Sequence, residues 1–445
     1  MRKTHDQQRG NARTKTPERR QIEMTFLSLD QWLDKSHRVR DIWLYVESLD
    51  LSELYRPIKA TRDNVGRDPI DPQILFCLIL FATLEGISSC RRIAELTTRD
   101  IAYMWICGGV SVNHHRLSDF RVDHAALLEE LLAQTIGVLM HYELVTLETI
   151  GHDGMRVRAS AGSGSFKRQP TLEAALNQAQ QHVAEVFQQQ EDDHDGGSAR
   201  QQAAQARAAR EKQERIEAAL LEMEDMQAKY KKRRGENSKG QRSEPRASKT
   251  DPEARRMKMG DNGFRPAMNV QLASDGDAQL VVAVGVTSQG SDAGLMKPMY
   301  DQVCDTYKVT PTKYLADGGF GKKDDVTYLE QCGTEVYTPL LNEEKELADG
   351  KDPYAARPKE SQQMAEYRKR MGTEEAKVIY RTRAQIAEFP HADCRNRGLT
   401  QFKVRGLAKA KAQTLWHVLV YNYLRMKSLV CPRHQSSYLE IIMNH

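Results

Sequence analysis

Apolar residues recur every three or four positions soon after the start of the chain. Val39, Ile42, Val46 and Leu49 predict one core-facing helix, and Ile74, Leu75, Leu78, Ile79 and Ala82, entered through Asp71 and Pro72, predict a second. Ser88 and Ser89 can cap a short helix over 91–96, Thr97 and Thr98 another over 100–105, and Asn113 opens a third to Arg121. The amphipathic run Leu127, Leu128, Leu131, Leu132, Ile136 and Leu139 follows. The chain is therefore expected to be all-helical to about residue 143, with Trp32, Trp43 and Trp105 in that core and Trp416 in a later one. The pattern changes at 144. LVTLETIGHD is rich in β-branched residues and reads as a strand ending on Asp153. Residues 263–275 alternate as a second strand, and 280–286 form a continuously apolar third. A helix over 294–307, a short strand over 313–317, a helix over 324–331 and a strand over 335–339 complete a mixed sheet covered by helices.

The first strand and the second are separated by a long polar stretch with its own period. Leu172, Leu176, Ala179, Val183 and Val186, then Ala206, Ala209, Gln213, Ile216, Leu220 and Met223, step by three and four in heptads. With EDDHDGGS at 191–198 as the turn, they predict an antiparallel, coiled-coil helical hairpin projecting from the sheet domain. The acids and His194 of that turn read as a solvated loop rather than a metal cluster. Residues 342–377 are charged at almost every second position and predict an exposed loop followed by a helix.

Composition narrows the classes of function. The chain has 445 residues, 40% of them hydrophobic and 28% charged, with a formal net charge of only +4. The longest apolar run, Ile74–Leu84, is too short to span a bilayer, so no membrane partner is expected. The polar N-terminus does not read as a secretory signal, which points to the cytoplasm, at the nucleoid if DNA is the partner. Seven cysteines, odd in number and without a C-x-x-C pair, suggest reduced thiols. The charge is unevenly placed. Residues 1–20 carry seven Lys or Arg against two acids, and 229–249 carry nine against two. Such basic segments suit a phosphate backbone and make binding steeply salt-dependent. Arg91, Arg92, Arg99, Arg116 and Arg121 lie on the short N-terminal helices, where they would suit a helix-turn-helix at a major groove.

Three acids stand where elements end: Asp153 after the first strand, Asp317 after the short fourth strand and Glu388 near the start of a late helical stretch. Strand ends meet at one sheet edge. Carboxylates gathered there can hold two hard divalent ions, Mg²⁺ or Mn²⁺, which suits phosphodiester cleavage and strand transfer. Gly154, Gly318 and Gly319 follow two of these acids and would let backbone approach metal or phosphate.

The segments around these acids, IGHDGMRVRAS, KYLADGGFGKKDDVTYLEQCG and YRTRAQIAEFPHADCR, resemble the bacterial insertion-sequence DDE transposases, most closely the group numbered 1182. The last is the most specific. Tyr380, Arg383, Glu388 and Arg395 stand at the spacing of that family's Y-x2-R-x4-E-x6-K/R signature. Residues 68–109 and 248–275, and the stretches on either side of the signature, are also similar, so that the likeness spans most of 30–428 outside the insert. The resemblance implies an RNase H-like fold in which Asp153, Asp317 and Glu388 hold two Mg²⁺ or Mn²⁺ ions. Tyr380, Arg383 and Arg395 would contact DNA or position the acids. The partners it implies are the element's terminal inverted repeats and target DNA, with a homo-oligomer at synapsis. Other readings are an RNase H-like nuclease without strand transfer, or a DNA-binding or scaffolding protein whose centre has decayed. This chain has His152 where the family has an apolar residue, Pro390 and His391-Ala392 after the acid, and Cys394 before Arg395.

The resulting organisation is a basic arm (1–25), a helical DNA-binding domain (26–143), a first catalytic part (144–167), a helical insert with a basic linker (168–249), a second catalytic part (250–430) and a tail (431–445).

Overall fold

The computed structural model describes residues 26–60, 68–192, 199–234 and 245–430. The basic arm 1–25, residues 193–198 of the insert's turn, linker residues 235–244 and the tail 431–445 lie outside the described residues.

Among the described residues eight helices come first: α1 (Leu29–Trp32), α2 (Arg38–Glu47), α3 (Ser52–Tyr55), α4 (Pro72–Leu84), α5 (Cys90–Leu96), α6 (Ile101–Cys107), α7 (His114–Asp123) and α8 (Ala125–His141). The short ones are delimited by local chemistry. Ser89 accepts from Arg92 N at the start of α5, Asn113 from Arg116 N at α7, and Asp71 caps α4 with Pro72 in its first turn. The cap of α6 is Asp100, accepting from Ala102 N and Tyr103 N, rather than Thr97 or Thr98. A carboxylate at that position also favours the positive end of the helix. Helix α4 is buried along almost its whole length. Trp32 departs from expectation: it is 59% exposed, because α1 is one short turn with no buried residue.

Six strands form the main sheet. They are β1 (Thr149–Arg158), β4 (Arg255–Lys258), β5 (Phe264–Asp275), β6 (Val281–Thr287), β7 (Lys313–Ala316) and β8 (Glu335–Tyr337), in the order β4-β5-β1-β7-β8 with β6 also on β5. β1, β5 and β6 are antiparallel neighbours, while β7 and β8 run parallel to β1. This is the mixed sheet of an RNase H-like fold. β1 does not stop at Asp153 as expected: it runs five residues further, because Gly154–Arg158 stay paired with Ala267–Gln271 of β5.

The insert leaves after β1. Strands β2 (Phe166–Lys167) and β3 (Ala247–Ser248) pair at its base, and α9 (Gln169–Asp192) and α10 (Ala199–Arg234) pack side by side. Leu172, Ala219 and Met223 are buried between them near the base and Val186, Ala206 and Ala209 further out, so the helical hairpin follows the apolar steps. β2, β3 and β4 were not foreseen; two or four residues are too short to show a period.

The rest is helical: α11 (Met296–Tyr307), α12 (Lys323–Gln331), α13 (Glu343–Ala348), α14 (Gln362–Met371), α15 (Glu374–Arg381), α16 (Phe389–Asn396) and α17 (Leu407–Val430). Helix α17 packs on α4, α7, α8 and β6. Its Asn422 side chain accepts from Val281 N and donates to Val281 O, and Trp416 Nε1 donates to Arg121 O. One continuous apolar core therefore joins the N-terminal helices to the sheet. Among the described residues no helix is long and apolar enough to cross a membrane.

Candidate active site

β1 and β7 run in parallel register with His152 opposite Ala316, so the next residues, Asp153 and Asp317, emerge side by side where β7 ends. Each carboxylate is braced by its own backbone. Gly154 N–H donates to Asp153 Oδ1 at 2.8 Å, and Gly319 N–H donates to Asp317 Oδ1 at 2.8 Å as Asp317 caps a short 3₁₀ turn.

Glu388 reaches the same place from a helix. Between α15 and α16 the chain makes a π turn, Ala384–Glu388. On a regular α-helix, residues five apart point about 140° away from each other. The wider turn brings Arg383 and Glu388 to one side, where Arg383 Nη2 meets Glu388 Oε1 at 2.7 Å. Pro390, which has no N–H to give to a carbonyl one turn back, sits just after this wide turn in the first turn of α16. The π turn lies flat on β1: a Cβ on Gly151 would overlap Ile386, so glycine is needed there for close approach rather than for its torsion angles.

Arg383 links the acids. Its Nη1 lies 4.0 Å from Asp153 Oδ2, and its guanidinium carbon is 5.7 Å from the centre of the Tyr380 ring. Burial pushes the Asp153 carboxyl up to about 6; Asp317 and Glu388 add to the rise, against the Gly154 N–H and Arg383. Burial works against the Arg383 cation, but Tyr380, Asp153, Glu388 and Asp317 outweigh it and hold its proton more tightly. The three acids, Arg383 and Tyr380 thus form one electrostatic cluster. As the side chains stand, no three His, Cys, Asp or Glu residues among those described are gathered tightly enough to hold a metal ion. The donor set still fits one: hard carboxylate oxygens, two of them anchored, with a guanidinium in the position a cation would take.

The two unusual histidines lie behind the acids. His391 Nε2 donates to the Asp153 carbonyl oxygen at 3.1 Å, and burial pushes its ring down to about 4. His152 is fully buried, 2.8 Å from the Tyr314 hydroxyl through Nδ1 and tilted against Phe320 with ring centres 4.4 Å apart, with burial pushing it down to about 3. It is a neutral core residue, fixed by a tyrosine. Gly154 likewise has a different role from the one expected. A Cβ there would collide with Gln271 and Asp292, so the glycine makes room for protein rather than for metal or phosphate.

Asp292 was missed from the sequence. It accepts from Arg156 at 2.7 Å, Asn269 at 2.7 Å and Gln271 at 3.0 Å, directly behind Gly154. The available signal was Asn269 and Gln271, two amides inside the otherwise apolar run over 266–273 of β5.

The remaining predicted contacts are spread out. Arg395 is exposed on α16 in the wall of a cleft beyond Asp153. Arg91 and Arg92 on α5 and Arg116 on α7 are exposed. Arg121 is not: it is 8% exposed and donates to Ser88 O at 2.7 Å under α17, so it ties helices together instead of facing a duplex.

Residues 27–123 match the family model described as "Transposase domain (DUF772)", and residues 239–423 match the one described as "Transposase DDE domain". β1, with Asp153, lies between the two matches, and it is the sheet that brings that acid beside Asp317. No curated protein and no solved structure matches the chain. The N-terminal helices are thus similar to one transposase domain, and most of the sheet to a transposase DDE domain.

Proposed function

We propose that this chain, a transposase of the group numbered 1182, binds the terminal inverted repeats of its element, hydrolyses a phosphodiester bond there and joins the freed end to target DNA. The observation that carries the reading is the Arg383 guanidinium between Asp153 and Glu388, with Asp317 emerging beside Asp153 where β7 ends. Asp153, Asp317 and Glu388 are the residues that would hold two Mg²⁺ or Mn²⁺ ions. When bound, such ions activate an attacking oxygen and stabilise the leaving one.

The chain's own residues orient the reaction. Gly154 N–H and Gly319 N–H keep one oxygen of each strand-borne carboxylate turned toward the backbone, leaving the other free to bind. His391, through the Asp153 carbonyl, holds the strand in place. Arg383 offsets part of the charge of Asp153 and Glu388 while the site waits. Turning its planar fork to a DNA phosphate would release both acids and clamp that phosphate with two bonds. In the first reaction a water oxygen bonds to phosphorus and the bond to the 3′-oxygen breaks, leaving a 3′-hydroxyl and a 5′-phosphate. In the second, that hydroxyl oxygen bonds to a target phosphorus, the bond to the target's own 3′-oxygen breaks, and the proton given up by the attacking hydroxyl is balanced by one taken up by the leaving 3′-oxygen, through solvent. No covalent enzyme intermediate is needed. Bringing two element ends together calls for at least two copies of the chain, and the α9–α10 pair offers one surface for that contact.

The test is purified protein with Mg²⁺ or Mn²⁺ and duplexes carrying the element's own ends. Cleavage to a 3′-hydroxyl and joined products are expected. Nicking without joining would instead indicate a nuclease of the same fold. A triple variant, Asp153→Ala, Asp317→Ala and Glu388→Ala, that still cuts would overturn the site.

A further inference from the structure

Beyond Asp153 the sheet edge opens into a cleft of about 870 Å³. β7 has ended, and the second half of β1 forms the floor with the β4–β5 hairpin and the end of α16 around it. Five cations line it: Arg156, Arg158, Lys258, Arg265 and Arg395. Two are already engaged, Arg156 with Asp292 at 2.7 Å and Arg265 with Asp261 at 2.6 Å. Among the described residues Asp261 is the one acid in the lining, and Arg265 takes it up. Arg158, Lys258 and Arg395 are exposed and have no carboxylate within ion-pair distance among the described residues. Three unneutralised cations facing one cavity repel one another unless an anion lies between them.

The remaining lining says what kind of anion. Gly260 and Gly290 keep the walls low, and among the described residues no aromatic side chain lines the cleft to stack a base. The cleft is therefore built for a sugar-phosphate backbone and not for base recognition. A duplex carries its phosphates on two strands across a major groove about 12 Å wide. A cavity of this size admits a short run of one strand. The cleft also starts at the reaction centre: Gly154 follows Asp153 directly, and Arg395 is on the helix that Glu388 begins.

We propose that this cleft is a track for single-stranded DNA flanking the scissile phosphate, with Arg158, Lys258 and Arg395 each holding one phosphate without regard to sequence. The inference rests on the transposase reading for its ligand, but its test needs neither element ends nor cleavage.

The experiment is fluorescence anisotropy with the full chain and an eight-nucleotide oligothymidylate, in EDTA, across a salt series. The cleft variant is Arg158→Glu with Lys258→Glu. The control is Lys345→Glu with Lys351→Glu, which changes net charge equally at exposed positions outside the cleft. Each lost phosphate contact lowers the slope of log affinity against log salt by about 0.7. The cleft variant should therefore lose about 1.4 of slope and at least tenfold in affinity at low salt, while the control stays near wild type. Arg158→Lys, which keeps the charge, should retain most of the binding and confirms that the fold tolerates change there. Equal behaviour of the cleft variant and the control, with matching thermal unfolding, would overturn the proposal even if the protein cuts its element ends. Loss confined to the cleft variant would sustain it even if no cleavage is found.

Discussion

The two halves of the active site are built differently. Asp153 lies within β1 and Asp317 directly follows β7, each one residue beyond the last parallel pair, His152 and Ala316, and each has one carboxylate oxygen tied to a backbone N–H. Glu388 stands at the end of a π turn, its side chain 53% exposed, with Arg383 as its charged partner. Strand pairing sets position through many cooperative hydrogen bonds. A wide helical turn sets only the side of the helix from which a flexible side chain extends. The strand half is therefore preorganised, while the helical half has to exchange a guanidinium for its working partner.

The largest effect that would expose this difference lies in carboxylate length. Removing any of the three carboxylates, as in Asp153→Asn, Asp317→Asn or Glu388→Gln, should abolish cleavage, since metal-assisted charge stabilisation is worth several kcal/mol, roughly a thousandfold or more in rate. Asp153→Glu and Asp317→Glu should be nearly as damaging, because the anchored backbone cannot move back by a methylene. Glu388→Asp should keep measurable cutting. If all three length changes act alike in a gel assay, the contrast between fixed and adjustable halves is wrong.

A second test attacks the turn itself. Gln385 is exposed, and deleting it converts the five-residue step from Arg383 to Glu388 into a regular four-residue one. Helicity should persist, because π bulges carry no intrinsic stability advantage. Tyr380 and Arg383 would rotate off the acids, and cleavage should fall about a hundredfold or more. Circular dichroism and single-turnover cleavage on the same preparation separate fold from function. Unchanged cleavage would mean that the turn does not position the site.

The same contrast explains what could be read in advance. The helices of residues 38–141 other than α3, the strands over 313–316 and 268–272, and the helical hairpin declare themselves by period and caps, since their apolar positions are buried. The extension of β1 past Asp153 did not, because GMRVR has one polar face turned to Asn269, Gln271 and Asp292 and looks like loop. The three acids were legible as types at spacings. That Gly151 makes room for Ile386, that Gly154 makes room for Asp292 and that Arg121 is buried under α17 depend on contacts between residues hundreds of positions apart, which no local pattern contains.

The smallest effect distinguishes the halves by stability alone. The Asp153 carboxyl is held up to about 6 by burial and by Asp317 and Glu388, against an ordinary value of 3.8. The folded protein thus binds this proton more tightly than the unfolded chain. The stability that the protonated form provides is complete below about pH 4 and is lost as pH rises through about 6. Asp153→Asn removes the charge and escapes that loss. In EDTA the variant should match wild type near pH 4 and exceed it at pH 7.5, by no more than about 3 kcal/mol for a shift of roughly two units, and by less because Arg383 forfeits a partner. Glu388→Gln, at a half-exposed ion pair, should change stability by under about 1 kcal/mol at either pH. Adding Mn²⁺ at pH 7.5 should raise the melting temperature of wild type and leave Asp153→Asn almost unmoved, closing the gap from one side. Denaturant melts at the two pH values measure it, and a variant less stable than wild type at pH 7.5 would show that Arg383 already compensates the buried acids in full, leaving no electrostatic tension for a divalent ion to relieve.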